Sequence, residues 1–140
     1  MQAILDTGPL VAFFDRSERH HLWATARVEE LVAPLLVCEA VLTEANYLLA
    51  RFAKAQDALF SLLENGALVV AFRLDDHVGA LHKLLRKYRD TPVSLADACV
   101  VRMAEIHEDH SVLTLDSDFT VYRKHGRVPI PVMHTAIPTD

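Results

Sequence analysis

Gln2-Ala3-Ile4-Leu5-Asp6-Thr7-Gly8-Pro9-Leu10-Val11 is the stretch on which the fold of this chain turns. Its apolar entry, Gln2 to Leu5, has the length of a short buried strand and stops at Asp6. Thr7 or Gly8 can cap a helix, and Pro9 suits a first helical turn because its missing N–H has no partner to lose there; a helix from Leu10 to Phe14 follows. The pattern is strand, acid, helix. In open parallel sheets the carboxyl ends of strands are where ligands bind, so the position of Asp6 matters as much as the strand before it.

Outward from this unit, strand and helix keep alternating. Asp15 to His20 is polar, after which Leu22, Trp23, Ala26 and Leu31 recur at helical spacing to about Val32, where Pro34 intervenes. Leu35 to Val37 reads as a second strand. Helices are expected from Cys38 to Phe52 and from Ala55 to Glu64, the second stopped by Asn65-Gly66. Ala67 to Phe72 is continuously apolar and reads as a buried third strand. Asp75 or Asp76 is expected to cap a helix running to about Tyr88. Another helix is expected from Ser94 to about His107, a fourth strand over Val112 to Leu115, a short helix over Ser117 to Lys124 and a last strand over Ile130 to Met133. This alternation predicts an α/β sandwich around a largely parallel sheet.

Composition bounds the function. With 140 residues, 51% of them hydrophobic, the chain is large enough for one core, and a single domain is expected over residues 1–140. Apolar runs fall short of the roughly 18 residues of a membrane span, and no signal peptide is visible, so a cytoplasmic protein with no membrane association is expected. Cys38 and Cys99 form no Cys-x-x-Cys pair and read as two buried thiols. A formal charge of −5 argues against nucleic-acid binding by bulk electrostatics, so phosphate must be met locally. Lys83, Arg86, Lys87 and Arg89, and again Arg123, Lys124 and Arg127, are either phosphate contacts or solvated helix ends.

Four acids stand out. Asp6 and Asp116 each follow a strand, where each can instead be a turn or helix cap. Glu44 sits at the edge of the apolar face formed by Val41, Ala45, Leu48, Leu49 and Phe52, with no helical partner for a salt bridge; Glu39 is turned about 140° away onto the polar side. A boundary glutamate reaching solvent is the competing reading. Asp97 lies beside Val100, Val101 and Ala104, while Ser94-Leu95-Ala96-Asp97 also has the spacing of a capping box. Brought together, four carboxylates would raise one another's pKa unless a cation neutralises them. Magnesium or manganese suits an all-oxygen set, and the chemistry such an ion supports is hydrolysis of a phosphodiester. The eight histidines are dispersed. His20 and His21 with Trp23 could stack on a base, although a helix start beside a core tryptophan accounts for them as well. Arg16 and Arg19 could meet phosphate near Asp6.

The order of Asp6 in Ile-Leu-Asp-Thr-Gly-Pro-Leu-Val, Glu44 in Cys-Glu-Ala-Val-Leu-Thr-Glu-Ala-Asn-Tyr-Leu-Leu, Asp97 in Ser-Leu-Ala-Asp-Ala-Cys-Val and Asp116 in Leu-Thr-Leu-Asp-Ser-Asp-Phe resembles the PIN domain, most closely its VapC-like ribonucleases. The resemblance runs from residue 1 to about Met133. It implies a three-layer sandwich, a mostly parallel central sheet flanked by helices, and a Mg2+- or Mn2+-dependent endoribonuclease. By the same resemblance, Asp6, Glu44, Asp97 and Asp116 match the family's metal-binding acids and Asp118 an additional one. Thr7, Ser94 and Thr114 match hydroxyls that hold acids or waters. The resemblance further implies an RNA substrate, a homodimer and a toxin restrained by a cognate antitoxin. A free-standing RNA-processing nuclease and an inactive binding or scaffold module are the alternatives. A phospho-signalling receiver would want an adjacent acidic pair after the first strand, and a dinucleotide-binding domain would want a Gly-x-Gly-x-x-Gly loop; neither is present.

Overall fold

In the computed structural model, residues 1–135 are described. The expected single domain over 1–140 therefore includes five residues, 136–140, that lie outside them. Strand β1 (Gln2–Leu5) buries Ala3, Ile4 and Leu5 almost completely and occupies the middle of a five-stranded sheet. Its neighbours are β2 (Leu35–Val37) on one side and β4 (His110–Leu113) on the other; β3 (Leu68–Val70) pairs with β2, and β7 (Val132–Met133), the last strand among the described residues, with β4. All four pairings are parallel, with Ile4 opposite both Leu36 and Val112.

Between the strands run α1 (Thr7–Phe14), α2 (His21–Glu29), α3 (Glu39–Leu49), α4 (Ala53–Glu64), α5 (Val78–Lys87) and α6 (Leu95–Ile106). Helix α1 packs on α2, α3 and α4, whereas α5 packs on α6, which lies against β1 and β4. The α/β sandwich with a parallel central sheet flanked by helices is thus as expected.

The strand order β3-β2-β1-β4-β7 has one consequence for function. After β1 the chain moves outward to β2 and β3, then returns to the other side of β1 for β4. The connections after β1 and β4 leave in opposite directions, which opens a crevice at the carboxyl ends of these two central strands.

Several boundaries differ from expectation for identifiable reasons. β3 covers only Leu68–Val70, and Val69 and Val70 are each more than a third exposed, because it is the sheet's edge and is covered less fully than a central strand. The segment after it opens with a 3-10 turn, Leu74–His77, so neither Asp75 nor Asp76 caps α5. Helix α3 ends at Leu49, and of its expected apolar face Val41, Ala45 and Leu49 are buried while Leu48 and Phe52 are exposed. Ser117 to Lys124 is not one helix. A 3-10 turn at Ser117–Thr120 gives way to β5 (Arg123–Lys124), which pairs antiparallel with β6 (Val128–Pro129) around His125 and Gly126, both at positive φ. Gly126 takes that conformation without a Cβ clash, and it is the residue that could have announced the turn.

Candidate active site

The chain leaves β1 at Asp6, whose backbone N–H bonds Leu113 O across the sheet at 3.0 Å. Asp6 occupies the N-cap position of α1, yet its side chain makes no cap bond. Its Oδ2 accepts instead from the hydroxyl of Thr114 at 2.7 Å. Thr114, wholly buried just past β4, also accepts from Asp116 N at 2.9 Å. Asp116 in turn accepts at Oδ1 from Asp118 N at 2.9 Å, so its capping role does exist alongside any other. One hydroxyl thereby ties the exits of β1 and β4 together.

Asp97 arrives from α6 by a complete capping box. Its backbone N–H donates to Ser94 Oγ and its Oδ2 accepts from Ser94 N, each at 3.0 Å. The competing explanation for Asp97 is therefore true, and it fixes the carboxylate at the rim of the crevice. Glu44 comes from α3 and is exposed. Gly8 lets α1 start close to the strand exits: a Cβ there would meet Leu115 at 3.2 Å.

Asp6, Glu44, Asp97 and Asp116 all line one open cleft of about 510 Å³, with Thr7, Gly8, Ser94 and Leu115. Thr114 stands behind the wall, acting through Asp6 and Asp116. Asp118 is not a lining residue, but burial first, then the charges of Asp116 and Asp97, raise its pKa, so it shares their field. Glu39, on the other side of α3, lines a different hollow.

One acid was missed. Glu18 also lines the cleft, in the polar stretch after α1, with Oε2 accepting from His20 N at 2.6 Å. Nothing in its neighbours' periodicity marks it, since it comes from a loop. Arg16, Arg19, His20, His21 and Trp23 do not line the cleft. His21 starts α2 and its Nδ1 bonds Ala12 O at 2.7 Å, while Trp23 packs against the core, as the structural reading of that pair had it. The basic clusters are also partly occupied: Lys124 pairs with Glu108 at 3.0 Å, Lys87 donates to Gly126 O, and Arg123 donates to carbonyls of the preceding turn.

The electrostatics of the cleft call for a cation. Asp6 is 7% exposed and its pKa is pushed up to about 6, mainly by burial; the Thr114 hydroxyl and the Thr7 N–H oppose the rise, and the charges of Asp97 and Asp116 add to it. Among the described residues none of the four acids has a Lys, Arg or His ion-pair partner. The donors are all oxygen, the chemistry that magnesium and manganese prefer. No three His, Cys, Asp or Glu side chains among the described residues stand close enough to ligate an ion unaided. An ion in this cleft would keep water in part of its shell, which magnesium does readily.

Comparison with known proteins identifies the family and the fold. The PIN domain pattern matches residues 3–124. The chain is 30% identical over 115 residues to Ribonuclease VapC26 of Mycobacterium tuberculosis, covering 81% of this chain and 85% of that protein. Its fold superimposes on the crystal structure of Mycobacterium tuberculosis VapC20, described as a sarcin-ricin loop cleaving toxin. The TM-score is 0.76 at 17% identity, over 86% of this chain and 94% of that one. At that identity the structural likeness speaks for the fold.

Proposed function

The chain belongs to the PIN domain family, and from that premise we propose that it is a divalent-metal-dependent endoribonuclease of the VapC-like kind, the toxin of a toxin–antitoxin pair. The observation that carries the reading is the cleft at the β1/β4 crevice, which Asp6, Glu44, Asp97 and Asp116 all line with no Lys, Arg or His ion-pair partner among the described residues. The similarity to a protein named as a ribonuclease supports the reaction class.

Asp6, Glu44, Asp97 and Asp116 would hold Mg2+ or Mn2+, with Asp118 adding to the field. Such an ion, when bound, neutralises phosphate charge, lowers the pKa of water and stabilises a leaving oxygen. The chain's own residues prepare the site. Thr114 orients the Asp6 carboxylate, Ser94 fixes Asp97 through two hydrogen bonds, and Asp116 is aligned by the N–H of Asp118 and by Thr114. Without a bound cation, burial holds the Asp6 proton up to about pH 6, and a cation in the cleft would favour the carboxylate. Thr7, buried at the start of α1, offers its N–H to Asp6 and narrows that wall of the cleft.

RNA is the substrate on this reading, a cognate antitoxin the inhibitor and a homodimer the assembly. We read residues 1–140 as one domain, supported by a single main sheet whose strands run from Gln2 to Met133. No helix among the described residues is long and apolar enough to cross a membrane, which accords with a cytoplasmic location. RNA cleavage by the parent, Asp6→Asn and Asp97→Asn with magnesium, manganese and chelator tests the mechanism. Cleavage confined to the metal-supplied parent is expected; equal, chelator-resistant cleavage by all three proteins rejects it. An adjacent reading frame encoding a DNA-binding inhibitor would support the toxin assignment.

A further inference from the structure

Cys38 and Cys99 come from distant parts of the chain, and both are free and almost fully buried. Burial alone would make them inert packing. Their surroundings are more specific than that. Cys38 holds the N-cap position of α3, where the N–H groups of Ala40 and Val41 face its sulfur, and Cys99 lies in the second turn of α6. The neighbouring Cys99 thiol, followed by the helix N–H groups, holds Cys38 below the usual thiol range against the effect of burial, while Cys38 and then burial push the Cys99 thiol up. Both also line a hollow of about 500 Å³ together with Thr43, Phe72 and Arg73, separate from the acidic cleft.

We propose that Cys38 and Cys99 form a peroxide-oxidisable dithiol, a modification site that closes to an intramolecular disulfide and ties α3 to α6. The Cys38 thiolate attacks one oxygen of hydrogen peroxide, the O–O bond breaks, and the departing hydroxide takes up a proton and leaves as water. Cys38 is then a sulfenic acid. The Cys99 sulfur attacks it, the S–S bond forms, the S–OH bond breaks, and the second water carries away the Cys99 proton. Two thiols lose two electrons and one peroxide becomes two waters.

The site lies between the elements that bear the acids: Glu44 is on α3 and Asp97 is on α6, half a turn before Cys99. A disulfide draws its sulfurs to about 2 Å, so the link places a covalent constraint between the start of α3, where Cys38 stands, and α6. Displacements of about 1 Å can cost catalysis on the order of 100-fold. The expected outcome, which rests on the ribonuclease reading above, is a loss of cleavage of at least about tenfold on oxidation.

The test treats the reduced full-length protein with hydrogen peroxide, blocks remaining thiols and maps peptides by mass spectrometry without reductant. A Cys38–Cys99 link with the loss of two hydrogens, missing in Cys38→Ser, together with a cleavage rate that falls and returns with dithiothreitol, is expected. Full alkylation of both thiols after peroxide, or sulfinic and sulfonic acids with no link, overturns the proposal; a link that leaves cleavage unchanged overturns its regulatory half. If the untreated protein cleaves no RNA under any metal condition, the ribonuclease reading fails while the peptide map still decides the disulfide.

Discussion

Thr114 donates its hydroxyl to Asp6 at 2.7 Å and accepts from Asp116 N at 2.9 Å, so one buried side chain joins an acid at one end of the chain to an acid near the other. Thr114→Val keeps the shape but leaves the Asp6 carboxylate and the Asp116 N–H without that partner. The expected cost is about 1–3 kcal/mol of stability, with cleavage lowered about 10- to 100-fold because Asp6 loses its orientation. Thr114→Ser should recover most of both. Urea unfolding and initial cleavage rates at saturating metal measure the two effects; a Val variant as active as the parent would remove Thr114 from the site.

Asp6 makes stability depend on pH in a direction opposite to that of most aspartates. Its folded pKa, about 6, stands above the unfolded value, so its favourable contribution is complete below the unfolded pKa and is lost as pH rises through about 6. In chelator at pH 8, Asp6→Asn should therefore be more stable than the parent by up to about 3 kcal/mol, with the gap closing near pH 4. The same substitution should abolish metal-dependent cleavage. Denaturation of both proteins across this range is the check, and identical stability at pH 8 would contradict the buried charge.

Ser94 and Asp97 separate a structural task from a chemical one. Ser94→Ala removes the hydroxyl that caps α6 and should cost about 1 kcal/mol. The backbone N–H of residue 94 still holds Asp97 Oδ2, so cleavage should fall by less than about tenfold, within the range for losing a supporting contact. Asp97→Asn retains an oxygen for the capping bond but loses the charge. It should be folded and at least about 100-fold less active if the carboxylate serves the metal. Equal losses from the two variants would mean that Asp97 acts only as a cap.

Glu18 supplies a third kind of test. Glu18→Gln should raise the magnesium concentration needed for half-maximal cleavage by about tenfold, with little change in the rate at saturating metal. Metal titration of the cleavage rate distinguishes this from a purely structural role in the loop, which would leave the titration midpoint where it is.

The parts of the fold that could be read in advance are those where a local pattern and its tertiary use coincide. Asp6 marked the exit of β1, Asn65-Gly66 closed α4 with Gly66 at positive φ, and Ser94 and Asp97 formed the box that their spacing predicts. Misreadings arose where context overrides pattern. Val69 and Val70 are apolar, but an edge strand exposes them; Leu48 continues the apolar stripe of α3, but faces the cleft. The turn at His125-Gly126 was hidden because Ser117 to Lys124 can pass for one helix, and Glu18 because a loop acid carries no periodicity. That the two thiols line one hollow is a tertiary fact that no spacing of theirs along the chain encodes.

The pairing of β1 with β4 also governs when the molecule can become competent. Leu5 sits opposite Leu113, and the hydroxyl that orients Asp6 belongs to the residue after it. A nascent chain still lacking β4 has its first acid, its third helix and most of its apolar surface, but neither Thr114 nor Asp116. During translation the cleft therefore stays unassembled until Thr114 and Asp116 have emerged, and closing so long a loop is among the slower steps of folding. A cell making this protein has that interval in which the chain is present but the pocket is not.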